Sequence, residues 1–261
     1  MNAAATVVYF AYLGDEAMDA AMVEARLGFM ERQLQWLAAL IAPSARRIDV
    51  IVPYVAPRAW DGEVDRAVKR HGFRLDEASI DAERVNRFEY PGFRAMKALA
   101  GQASPDHLLY YCHSKGIFDL DERKMGLFRL HSQVGLTAPL DRLAGDQGVT
   151  RAGLFPCRYG WCWYNFFWIK AGYMAGLAVE ESAHRHDFEA LIGDRSDPEG
   201  FRGVLSLADQ LPCADLGLAV RPWYRPEELA APGLCAAYDA YALMEAPPYA
   251  IEAALTSRVE N

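Results

Sequence analysis

Apolar and polar positions change their period several times along this chain. Val7 to Leu13 (VVYFAYL) is an unbroken apolar run, rich in β-branched and aromatic residues, which predicts a strand buried on both faces of a parallel sheet. Leu27, Met30, Leu34, Leu37 and Ile41 then recur at spacings of three and four, which predicts an amphipathic helix that Pro43 ends. Asp15 and Glu16 lie near its expected start, where carboxylates favour the helix dipole. Ile48 to Val55 reads as a second strand, with Pro53 marking an edge or a strand end. Glu63 to His71 reads as a short helix, Phe73 to Ile80 as a third extended segment and Pro91 to Leu99 as a helix opened by proline. His107 to Cys112 (HLLYYC) is the clearest central strand. A helix around Lys124 to Val134, a strand near Gly153 to Cys157 and an aromatic stretch from Trp161 to Trp168 follow.

This alternation predicts the α/β class: a mostly parallel, Rossmann-like central sheet with helices on both faces, in which ligands bind beyond the carboxyl ends of strands. A chain of 261 residues suits one such domain, 1–261, with 1–120 as the nucleotide-binding half and 121–261, richer in Trp, Tyr and Pro, as the acceptor side. The tail from Pro222 onward fits either a cap on that side or a partner-binding segment.

Composition narrows the function classes. Hydrophobic residues make up 52% and charged residues 24%, which are globular values. The net charge of −8 disfavours a nucleic-acid partner while leaving room for a nucleotide in a local basic pocket. Five scattered cysteines fit reduced thiols and a cytoplasmic location. Neither a signal core nor an apolar run of spanning length is expected, so any membrane contact would be peripheral.

Candidate chemistry concentrates after the central strand, in His113-Ser114-Lys115-Gly116. Lysine brings a point charge, histidine and serine bring hydrogen-bonding groups, and glycine lets backbone approach a ligand closely. The set would suit a diphosphate; a polar turn with a solvated lysine is the alternative. Spacings for a phosphate-binding P-loop, a dinucleotide fingerprint and a G-x-S-x-G elbow are absent. Trp161 to Trp168 supplies rings that can stack on sugars or bases, or fill a core, and Asn165 within it must find polar partners. Asp187 and Glu189 are candidate general bases, or an acidic cluster at a helix start; on a helix they would diverge by about 200°, so only one would face a site. Asp119-x-Asp121 has the spacing of a divalent-cation pair but reads better as a solvated charged turn, leaving Asp119 and Asp121 as weak metal candidates. The cysteines lack zinc-site spacing.

Several stretches, in order, resemble a group of bacterial glycosyltransferase-like proteins of polysaccharide and lipopolysaccharide assembly. They are Glu89 to Arg94 (EYPGFR), Leu108 to Gly116 ending in His-Ser-Lys-Gly, Asn165-Phe166-Phe167-Trp168, and Arg185 to Gly193. The resemblance covers roughly positions 85 to 195. It implies a GT-A-like fold and transfer of a sugar from a nucleoside-diphosphate donor to a saccharide, lipid-linked or protein acceptor. In most GT-A enzymes the central strand ends in Asp-x-Asp and binds a metal. Here His113 to Gly116 stands in that place, which favours a metal-independent mechanism over one using manganese or magnesium, since cationic side chains can neutralise a leaving diphosphate. The expected roles are acceptor deprotonation by Glu189 or else Asp187, diphosphate binding by His113, Ser114, Lys115 and Gly116 with Tyr12 nearby, and sugar or acceptor binding by Asn165, Trp163, Trp168 and Arg185. A hydrolase or nucleotidyltransferase on a similar sheet, and a non-catalytic carbohydrate-binding scaffold, are the rival classes.

Overall fold

Strand β1, Ala5–Tyr12, is buried along its whole length, as its apolar run requires. In this computed structural model, residues 5–44, 47–75, 83–138, 140–154, 160–193 and 203–207 are described, with backbone alone for residues 123, 130, 141, 142, 163, 185, 186, 189 and 206. Helix α1, Ala20–Ile41, starts later than the acidic pair suggests, because Asp19 is its cap and accepts from the amides of Ala21 and Met22. Asp15 instead closes a tight turn by accepting from the Ala17 amide at 3.1 Å. Met30, Leu34 and Leu37 are buried as predicted, while Leu27 and Ile41 are only partly covered.

The strand expected over Ile48 to Val55 divides into β2, Ile48–Ile51, and β3, Tyr54–Val55. Proline is the reason. Pro53 has no N–H to give a ladder, and between the two pieces only its carbonyl is used, accepting from Ala11 at 3.0 Å. The Val52 amide turns to the Arg74 carbonyl, so the third extended segment begins beside β2; its residues 76–80 lie outside those described. A 3-10 turn leads into α2, Asp61–Arg70, which has acids in its first turn and bases in its last. Next come α3, Tyr90–Gln102, opened by Pro91, then β4, Leu108–His113, and α4, Glu122–Thr137.

In the second half, α5 (Asp141–Gly145) precedes β5, Arg151–Gly153, which ends where the predicted strand begins; residues 155–159 lie outside those described. Trp163–Asn165 is a 3-10 turn, and the rest of the aromatic stretch forms β6, Phe167–Lys170. Helix α6 (Ala171–Gly176), α7 (Arg185–Ala190) and β7 (Val204–Ser206) complete the described elements.

These strands form one seven-stranded sheet in the order β2-β1-β4-β6-β5-β7, with β3 also paired to β1. It is mixed and mostly parallel: β6 runs antiparallel to both β4 and β5, and the other described ladders are parallel. Helices cover both faces. Val7, Tyr9, Ala11, Tyr110 and Trp168 meet α1, α2 and α4 on one side; Val8, Phe10, Leu109, Tyr111 and Phe167 meet α3, α6 and α7 on the other. No helix among the described residues is long and apolar enough to cross a membrane.

Candidate functional site

Because β1 and β4 are parallel and in register, with Phe10 opposite His113, their carboxyl ends open side by side. A cavity of about 300 Å³ lies there, lined by Tyr12 from β1, by His113, Ser114, Lys115 and Gly116 after β4, by Phe118, Asp119 and Lys124 farther on, and by Asn86, Phe88 and Glu89 ahead of α3. The sequence-predicted diphosphate set and Tyr12 thus face one space.

Local folding explains how this stretch is held. Ser114 donates its amide to the Phe10 carbonyl at 2.8 Å, and its hydroxyl oxygen accepts from the Tyr12 amide at 3.3 Å, which ties the two strand ends together. The Lys115 carbonyl accepts from the Gln33 side chain at 2.9 Å, and Gln33 is itself held by the Tyr9 hydroxyl at 2.6 Å. With its backbone anchored, Lys115 sends its ammonium over the Tyr164 ring, 4.4 Å from the centroid. Gly116 sits at φ +83°, and a Cβ there would stand 2.7 Å from Cβ of Lys124 and 2.9 Å from the Asp121 carbonyl, so glycine fits both conformation and space.

The cavity also holds a residue that sequence reasoning left without a role. Glu89 occupies the N-cap position of α3 but makes no side-chain hydrogen bond to the helix. Its Oε2 accepts from Nδ2 of Asn165 at 2.9 Å, and its Oε1 stands 3.9 Å from Nε2 of His113. Nε2 of His113 is also 3.0 Å from the Tyr164 carbonyl. Burial, then the Glu89 charge, raises the Tyr111 hydroxyl pKa well above its ordinary value. Glu89 and Asn165 are 76 residues apart, so no local spacing announces the pair; the one signal was that a buried Asn165 needs a partner.

At the mouth, Phe118 is 60% exposed and stacks on Tyr12 with centroids 5.8 Å apart and planes at 12°. Arg26 supports this pair. Its guanidinium lies 4.6 Å from the Phe118 centroid and donates to the carbonyls of Leu13 and Phe118. Burial, then the charge of Asp15, raises the Tyr12 pKa, so the phenol stays protonated at neutral pH.

The remaining predicted residues fall elsewhere. Trp168 belongs to the core: it is fully buried, packs 5.0 Å from Tyr110 and donates its indole N–H to Gly135, which leaves neither ring face for a ligand. Asp187 is exposed on α7, accepts from Ser182 at 2.5 Å and does not line the cavity. Asp119 is engaged by Lys124 at 2.6 Å, and Asp121 serves the start of α4, where its carbonyl accepts from Met125. Among the described residues no three His, Cys, Asp or Glu side chains gather as a metal site. The side chains of Trp163, Arg185 and Glu189 lie outside those described; their backbones place Trp163 in the turn beside Tyr164, and Arg185 and Glu189 on α7, which packs against that turn.

No family model, curated protein or solved structure matches the chain.

Proposed function

We propose that this protein is a GT-A-like glycosyltransferase that moves a sugar from a nucleoside-diphosphate donor to an acceptor hydroxyl, in the biosynthesis of a surface polysaccharide or other glycoconjugate. One observation carries the reading: His113, Ser114, Lys115 and Gly116 line a single cavity with Tyr12 at the carboxyl ends of adjacent parallel strands. That is where open α/β sheets bind ligands. Lys115 and His113 supply donors and positive charge where the leaving diphosphate gains negative charge. The Phe118–Tyr12 stack offers a flat apolar surface at the entrance for a base or sugar ring. Asn165, behind the cavity, serves the site through Glu89. Acceptor deprotonation is assigned to Glu189, with Asp187 as the second candidate, on the helix packed beside the Trp163–Asn165 turn.

The test is thermal stability against a panel of nucleotides and nucleotide sugars, each with EDTA or with manganese. A ligand at about 100 times its dissociation constant adds about 2.7 kcal/mol, an easily read shift. One nucleoside-diphosphate family is expected to raise the melting temperature, in EDTA as well as in manganese, and Lys115→Ala is expected to abolish the rise. A shift that survives Lys115→Ala would remove the phosphate role. A flat panel with no product from any donor and acceptor pairing would favour a carbohydrate-binding scaffold instead.

A further inference from the structure

The Trp163–Asn165 turn touches each ionic group at the back of the cavity. Tyr164 and Asn165 have φ of 64° and 55°, a left-handed pair of non-glycine residues. Such residues are strained and persist where surrounding contacts hold them. The contacts are specific. The Tyr164 carbonyl faces Nε2 of His113, the Tyr164 ring lies beneath the Lys115 ammonium, and the Asn165 amide holds Glu89. A carbonyl oxygen can only accept, so Nε2 of His113 carries a hydrogen and Nδ1 is the nitrogen that gains or loses the titrating proton. Once Nδ1 is protonated the ring is cationic, and Oε1 of Glu89 lies 3.9 Å from it. An opposite charge at that range favours the charged ring.

We propose that Glu89 is a positioning residue that holds His113 as an imidazolium, so that its Nδ1 becomes a charged N–H donor for a diphosphate beside Lys115. This deepens the glycosyltransferase reading and rests on it for the identity of the anion. Asn165 fixes the Glu89 carboxylate through Oε2, and Oε1 is the oxygen 3.9 Å from Nε2 of His113. The ring neighbours of His113 among the described residues carry no charge. Tyr111, stacked 6.5 Å away, stays neutral because burial raises its hydroxyl pKa, and Phe166, 5.5 Å away, is apolar. The neighbouring Lys115 opposes a second cation, and a bound diphosphate relieves that opposition. Glu89 thereby moves the proton balance of His113 without touching the ligand's reacting atoms.

The experiment reads His113 directly. In the unmodified protein, side-chain 15N shifts followed across pH should show His113 protonated at both nitrogens at pH 7; a neutral ring at that pH overturns the proposal. In Glu89→Gln, which keeps an acceptor for Asn165, the His113 titration is expected to move down by about one unit. Affinity for inorganic pyrophosphate, followed across pH, is expected to weaken as His113 loses its proton in each protein, with the inflection moving down by the same one unit in Glu89→Gln. A His113 titration unchanged by the substitution, or a pyrophosphate-affinity inflection that stays where it was, would sink it. The 15N measurement needs no ligand. A shifted titration together with a flat nucleotide panel would therefore uphold the ion pair and remove only the glycosyl-transfer reading.

Discussion

His131 shows what burial does to an ionisable side chain in this molecule. It is 2% exposed on α4, packed against the rings of Tyr164 and Phe166, and burial, with the Lys115 charge adding, pulls its pKa down to about 3. The folded protein therefore keeps it neutral. Below an unfolded value of about 6.5 the denatured chain takes up a proton that the native one refuses, so stability falls as pH drops from there toward about 3, and the contribution is complete above that unfolded value. Melting temperatures of the native protein and His131→Leu, compared over that window, should show the shallower pH slope in the variant; equal slopes would mean that His131 protonates freely in the fold. The contrast with His113 lies in surroundings. Both rings neighbour Phe166 and Tyr164, but His113 has Glu89 beside it, whereas the charge acting on His131 is that of Lys115. Of these site residues, the sequence made His113 and Lys115 legible through their place after a strand and pointed to Asn165 through its polarity among rings. Glu89 was hidden because its partners come from other elements.

At the scale of elements, glycines mark where helices press on the sheet. A Cβ on Gly135 of α4 would stand 2.5 Å from the hydroxyl and 2.6 Å from a ring carbon of Tyr110, a fully buried ring that has nowhere to move. On Gly28 of α1, the same Cβ meets nothing within 4 Å. Gly28→Ala is therefore expected to stabilise the protein by about 0.8–1 kcal/mol through helix propensity. Gly135→Ala is expected to destabilise it, because overpacking costs about 1–3 kcal/mol and outweighs that gain. Urea denaturation of both variants decides, and a Gly135→Ala protein as stable as the native one would show that α4 can shift. Period and punctuation in the sequence located β1, α1, α3 and β4 well, since each follows from its own residues. They failed where partners decide. Pro53 splits an apparently continuous strand because its missing N–H falls in the ladder, and β5 is a strand through β6 and β7 although Arg151-Ala152-Gly153 has little intrinsic β preference. The direction of β6 was equally unreadable: alternating aromatics fill both faces whichever way a strand runs.

Over the whole molecule, one sheet links both parts of the sequence, since β4 from the first half is bonded to β6 from the second. The two halves named from sequence thus share a core among the described residues, and heating should give one cooperative transition by circular dichroism and calorimetry alike; two separable transitions would mean that the halves stand alone. The register of β1 against β4 has a kinetic consequence. Tyr12 and Ser114, hydrogen-bonded at the adjacent strand ends beside the cavity, are separated by 102 residues, and pairings this distant are slow to form because a long loop must close before any contact rewards it. The cavity they line does not exist until that closure is complete. A bound nucleotide would then leave the refolding rate almost untouched and appear instead as a longer lifetime of the native state, a brake on opening that arrives too late to guide assembly.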